Sequence, residues 1–101
     1  MLVAFSVAPN TAQDNDDGSV ADSVVEAVKI VRDSGLPYEV NSMFTTVEGE
    51  WDEVFDVIKR ASDAVTTSSS RVSLVIKADI RPGHTNQLSE KVQRINQRLD
   101  E

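Results

Sequence analysis

Along the first residues, "LVAFSVAP", bulky and small side chains alternate: Val3, Phe5 and Val7 fall on one face, and Leu2, Ala4, Ser6 and Ala8 on the other. That period of two predicts a β-strand with one bulky face and one mostly small face. After the polar, acidic stretch Asn10–Gly18 the period changes. Val20, Val24, Ala27, Val28 and Val31 recur at helical spacing, and Ser19 followed by Asp22 has the form of a capping box with Asp in place of Glu. This first helix is expected to stop at "DSGLP", where Gly35 suits a left-handed cap and Pro37 prevents continuation.

The segment "YEVNSMFTTVE" is rich in strand formers around a turn at "NSM", which predicts two short strands in a hairpin. Past Gly49, an apolar stripe of Trp51, Val54, Phe55, Ile58, Ala61, Ala64 and Val65 predicts a second helix. Glu50, Asp52 and Glu53 lie in its first turn, where the helix dipole favours negative charge. In this reading Gly49 permits a sharp strand-to-helix transition, and Trp51 anchors the helix onto the core. The polar connector "TTSSS" leads to "RVSLVIKADIR", which alternates strictly, with Val72, Leu74, Ile76, Ala78 and Ile80 on one face. After the loop "PGHTNQ", Leu88, Val92, Ile95 and Leu99 mark a final helix with a narrower stripe.

The order βαββαβ plus a C-terminal helix predicts an α+β fold, the ferredoxin-like sandwich of a four-stranded antiparallel sheet with two helices on one face. Residues 1–101 are expected to form one such domain, with the first and last strands adjacent at the sheet centre and their bulky faces covered. The uncovered face would then present Ala4, Ser6, Ala8, Ser73, Lys77 and Asp79. Val75 beside the small residues of the first strand would make a shallow apolar floor, either a ligand seat or a surface on which another subunit packs.

A chain of 101 residues with 40% hydrophobic and 27% charged residues matches an ordinary globular protein. Its net charge of -7 disfavours nucleic acid as a partner, because that binding depends on lysines and arginines displacing phosphate counterions. The absence of cysteine removes disulfides, thiolate metal sites and cysteine nucleophiles, and suits a reducing cytoplasm. The apolar opening lacks a basic segment and is too short to span a bilayer, so no membrane association is expected. Asp14, Asp16, Asp17 and Gly18 do not fit a calcium loop, because a register with Gly18 in sixth place puts Gln13 first and Val24 twelfth. His84 stands alone in a loop with no serine or second ligand at a recognisable spacing. No metal, cofactor or nucleophile motif emerges. An enzyme would need Asp79 or Glu48 as a general base in a water-poor pocket.

The segments "SGLPYEV", "VEGEWDEVFDVIK" and "RVSLVIKADIRPG" resemble, in order and spacing, the YkoF-like thiamine-binding family of small ferredoxin-like proteins. The likeness runs from Phe5 to about Leu99 and is most specific at Glu48–Val54, with Ile76–Asp79 in support. It implies binding of thiamine or its hydroxymethylpyrimidine half by a homodimer or homotetramer, without catalysis. Carried over by motif position, the resemblance implies Thr45, Glu48, Lys77 and Asp79 as ligand residues, with Ser19 and Ser23 beside them. Phe44 stands where the family has glycine, and would either stack on the pyrimidine or fill its space. The alternative is an oligomeric interaction module with no small ligand.

Overall fold

The computed structural model describes residues 1–10 and 17–100, with side chains from residue 22 onward in the second stretch. Its elements follow the predicted order: β1 (Leu2–Pro9), α1 (Asp17–Asp33), β2 (Tyr38–Val40), β3 (Thr45–Glu48), α2 (Trp51–Thr66), β4 (Val72–Asp79) and α3 (Gln87–Leu99). The result is the expected α+β sandwich, with α1 and α2 against one face of the sheet. Helix α1 begins two residues before Ser19; the Ser19 side chain, the capping box built on it and the acidic loop before it lie outside the described residues.

On β1 and β3 the odd and even residues meet different surroundings, whereas β2 and β4 are exposed along nearly their whole length. Val3 and Phe5 of β1, Val47 of β3, Ala27 and Val31 of α1, and Val54, Val57, Ile58, Ala61 and Val65 of α2 form the core. The helix α1 ends where expected, at Gly35 with φ +81°, a region open to glycine at little cost. At the hairpin turn the Asn41 side chain acts as a local acceptor, taking the amides of Met43 and Phe44 at 2.8 and 2.9 Å.

Two expectations are corrected. First, the sheet order is β2-β3-β1-β4, so β1 and β3 are the inner strands and β4 is an edge. The pairing of β1 with β4 stands, with eight antiparallel pairs from Leu2↔Asp79 to Pro9↔Val72, but α1 and α2 do not reach far enough to cover the edge. Leu74 and Ile76 therefore remain exposed on the face predicted to be closed. Second, Trp51 is 53% exposed; its ring stacks on Phe55, one turn on, with centroids 5.2 Å apart and planes at 17°. It stands at the first position of α2, beside a cleft that it shares with Met1 and residues Ile80 to His84. Gly49 stands in the expected strand-to-helix transition, between Glu48 of β3 and Trp51 of α2, and does so without a positive φ. Its small size is needed for close approach instead, since a Cβ there would sit 3.1 Å from Val54 Cγ2 and 3.4 Å from Leu36 Cδ2.

Candidate functional site

The pleat sends Thr45 and Glu48, three residues apart on β3, to opposite faces of the sheet. This separation divides the sequence-predicted residues into two groups. Thr45 pairs with Phe5 of β1 and Val40 of β2, on the helix side. Glu48 and Asp79 both pair with Leu2, and Lys77 with Ala4, so these three share the other side.

On the helix side a cavity of about 270 Å³ opens between α1, β1 and the turn joining β2 to β3. Phe5 and Val7 come from β1 and Val24 and Val28 from α1, while Phe44 and Thr45 close it from β3 and the turn before it. Thr45 is 9% exposed and its hydroxyl has no protein hydrogen-bond partner among the described residues. Asn41, Ser42 and Ser6 add amide and hydroxyl groups at the margin. The volume lies just under the roughly 300–1,000 Å³ of pockets that take drug-sized ligands, and suits a single heteroaromatic ring with a short arm. Such a pocket offers aromatic faces, an apolar floor and neutral donors and acceptors.

The opposite face is organised differently. Glu48 is 7% exposed, and both of its oxygens are engaged: Oε2 accepts the Gln87 amide at 2.8 Å and Oε1 the Leu88 amide at 3.1 Å. Asp79 accepts from Lys91 Nζ at 2.6 Å. That hydrogen bond and the charge of Lys91, with smaller help from Arg81 and Lys77, hold the Asp79 carboxyl below its ordinary value. Ser23, buried on α1, meets Ser68 Oγ at 2.7 Å and ties α1 to the chain leaving α2. It does not line the cavity. Of the predicted residues, then, Phe44 and Thr45 come together at a cavity, Glu48, Lys77 and Asp79 share the far face, and Ser23 ties α1 to the chain just after α2.

The sequence profile described as thiamine-binding protein matches residues 3–96, from β1 into α3. The chain belongs to the thiamine-binding protein family. UPF0045 proteins of Mycobacterium bovis and Mycobacterium tuberculosis are each 45% identical to it over 100 residues, covering 98% of this chain and 94% of theirs. Among solved structures, a Bacillus cereus domain is similar with a TM-score of 0.78 and 36% identity, over 92% of this chain and 86% of that one. A Thermotoga maritima protein provisionally assigned to thiamine biosynthesis or salvage is similar with a TM-score of 0.74 and 28% identity, over 93% of this chain and 96% of its own.

The stretch that this thiamine-binding family member shares with its profile contains both the cavity and the far-face row. Residues that sequence reasoning missed are Val24, Val28, Asn41 and Ser42. The first two lie on α1's apolar stripe, and nothing in a helical period separates a pocket wall from a core contact. Asn41 was legible only as a turn residue. Two smaller clefts of about 200 Å³ each lie at the other end of the sheet and share Met1, Glu50 and His84. No group of three potential metal ligands occurs among the described residues, and no helix there is long and apolar enough to cross a membrane.

Proposed function

We propose that this protein binds thiamine or its hydroxymethylpyrimidine half in the cavity closed by Phe44 and Thr45, as a non-catalytic homodimer or homotetramer. The observation that carries the reading is the cavity itself, apolar and aromatic within and neutral-polar at its margin, in a member of a thiamine-binding family. An aminopyrimidine presents an amine donor, ring-nitrogen acceptors and a flat π-face. The Thr45 hydroxyl and the Asn41 and Ser42 side chains supply matching hydrogen bonds, and Phe44 supplies a stacking face. Of the two outcomes for Phe44, stacking is the one its half-buried place at the pocket wall favours. Among the described residues the cavity is lined by apolar, aromatic and neutral polar side chains, which suits holding a flat ring. The thiazolium cation, reaching outward, meets a chain of net charge -7.

Self-association is supported by the apolar side chains left on β4 and α3, Leu74, Val75, Ile76, Val92, Ile95 and Leu99, all exposed. An interaction module with no small ligand would share that feature, so titration decides between them. Isothermal titration of ligand-stripped protein with thiamine, and separately with hydroxymethylpyrimidine, is expected to give saturable binding at a fixed ratio per subunit. Failure of both compounds to bind would favour the interaction module.

A further inference from the structure

The tightest hairpin loops place one or both central residues at positive φ, which lets the two strands keep their twist, and turns without it tend to splay the strands they join. Between β2 and β3 neither Ser42 nor Met43 is at positive φ. The tie there is Asn41. Its backbone amide donates to the Phe44 carbonyl at 2.9 Å, while its side-chain Oδ1 accepts the Phe44 amide at 2.9 Å and the Met43 amide at 2.8 Å. Both polar backbone groups of Phe44 therefore end on one residue.

This turn is also a wall of the cavity, which every residue from Asn41 to Thr45 borders. At its tip Ser42 and Met43 are exposed, Met43 at 72%, so packing does little to hold the tip in place. Phe44 is half-buried and Thr45 buried. The hydrogen bonds also settle which way the Asn41 amide faces: only its oxygen can accept two backbone amides, so its NH2 group is the end left for solvent or a ligand.

We propose that Asn41 is a positioning residue of the ring-binding cavity: its side-chain oxygen fixes the backbone of Met43 and Phe44 so that the Phe44 ring stands in place before a ligand arrives. Its larger effect on affinity passes through Phe44, beyond any bond its amide nitrogen gives the ligand. The inference rests on the ligand reading of this cavity. A wall that is set beforehand spares the ligand the cost of ordering it. Without the Asn41 oxygen, the Met43 and Phe44 amides turn to water and the exposed tip gains freedom. Apparent affinity then falls with the fraction of time the wall is formed. A fraction of about a tenth to a third raises Kd roughly three- to tenfold.

The test titrates hydroxymethylpyrimidine calorimetrically into wild type, Asn41→Ala, Asn41→Asp, Asn41→Gln, Phe44→Ala and the double variant Asn41→Ala with Phe44→Ala, and follows amide exchange at Met43 and Phe44. The pyrimidine alone is the probe, because a new carboxylate would attract the thiazolium on its own account. Asn41→Asp keeps an oxygen at the same reach and loses the amide nitrogen, whereas Asn41→Gln keeps both groups but moves them outward by one methylene. Asn41→Ala and Asn41→Gln are expected to raise Kd roughly three- to tenfold and to speed exchange at both amides, with Asn41→Asp within about twofold of wild type. Tm should change little, since Asn41 is exposed and no core residue is altered. In the double variant the Asn41 change should cost almost nothing beyond Phe44→Ala, because a residue that acts through the ring has no effect once the ring is gone.

Wild-type affinity in Asn41→Ala, or unchanged exchange at Phe44, would overturn the proposal. So would Asn41→Asp binding as weakly as Asn41→Ala while Asn41→Gln binds like wild type, which would make the amide nitrogen a direct ligand group. Fully additive losses in the double variant would mean that Asn41 acts independently of Phe44, and refute the proposal too. A wild-type protein that does not bind the pyrimidine ends the ligand reading and the positioning role together, whereas binding that is indifferent to Asn41 ends only the second. If Asn41→Ala fails to fold, Asn41→Asp against Asn41→Gln decides: tighter binding by the first supports the positioning role, and tighter binding by the second refutes it.

Discussion

Replacing Thr45 by Val separates the cavity's chemistry from its shape. The two side chains are both β-branched and nearly equal in size, so the strand preference of β3 and its cross-strand contacts with Phe5 and Val40 are kept. What is lost is one hydroxyl, on a residue 9% exposed, that borders the cavity and has no protein partner among the described residues. A neutral hydrogen bond from that hydroxyl to a bound pyrimidine contributes about 0.5–1.5 kcal/mol, so Kd should rise by roughly two- to thirteenfold. Thermal stability should stay level or increase, because a hydroxyl with no protein partner leaves a largely apolar site. Calorimetric titration with hydroxymethylpyrimidine, with Tm measured on the same samples, reads both quantities. Thr46→Val is the control, since Thr46 points to the other face beside Ala4. Equal affinity in the two variants would place the ligand elsewhere. An affinity loss accompanied by a large fall in Tm would mean that Thr45 supports the sheet rather than the ligand.

Other substitutions test the corrected packing. Full burial of a tryptophan makes its replacement by Ala cost about 3–5 kcal/mol, but Trp51, 53% exposed and in stacking contact with Phe55, should cost only about 1–2 kcal/mol in urea unfolding. A cost above that range would show the ring to be packed. Gly49→Ala should destabilise by about 1–3 kcal/mol, because the added methyl meets the fully buried Val54 at 3.1 Å; a neutral result would mean that Leu36 and Val54 yield together. For Asp79 the depressed carboxyl value means that its contribution is present above the ordinary carboxylate range and is lost as pH falls through the lowered value, a window below about pH 4. Lys91→Ala should bring the Asp79 titration, followed by NMR, back up toward the ordinary value, and an unmoved titration would refute the assignment of Lys91 as the cause.

Local pattern was enough for the elements, and β1, β3, α1 and α2 share one core. The alternation of β1 and the stripe of α2 correspond to Val3, Phe5, Val54, Ile58, Ala61 and Val65 inside. What alternation does not carry is a strand's neighbours. "VSLVIKAD" reads the same whether a strand lies inside a sheet or at its edge, and the edge position of β4 follows from the crossover connections instead. Trp51 continues the spacing of the α2 stripe, yet at the helix's first position it stacks on Phe55 and stays half-exposed, which spacing alone does not reveal. The cavity was half legible: Phe44 and Thr45 stood out by motif position, whereas Val24 and Val28 look like any core stripe. Glu48 stood out as a carboxylate before a glycine, yet its partners lie in a helix far along the chain, a relation with no local signature.

The ladder that joins β1 to β4 also bears on how the chain reaches this fold. The hairpin strands β2 and β3 pair through only three residue pairs, while the first and last strands share eight, and those pairs connect residues more than sixty positions apart. Most of the sheet's hydrogen bonding is therefore non-local, and its closure entropy must be met before much of the ladder forms. A nascent chain that ends before Val72 has Val3 and Phe5 in place but no partner for the outer edge of β1. Folding should then be a late, slow event relative to synthesis, completed when the final strand arrives to close the edge opened by the first.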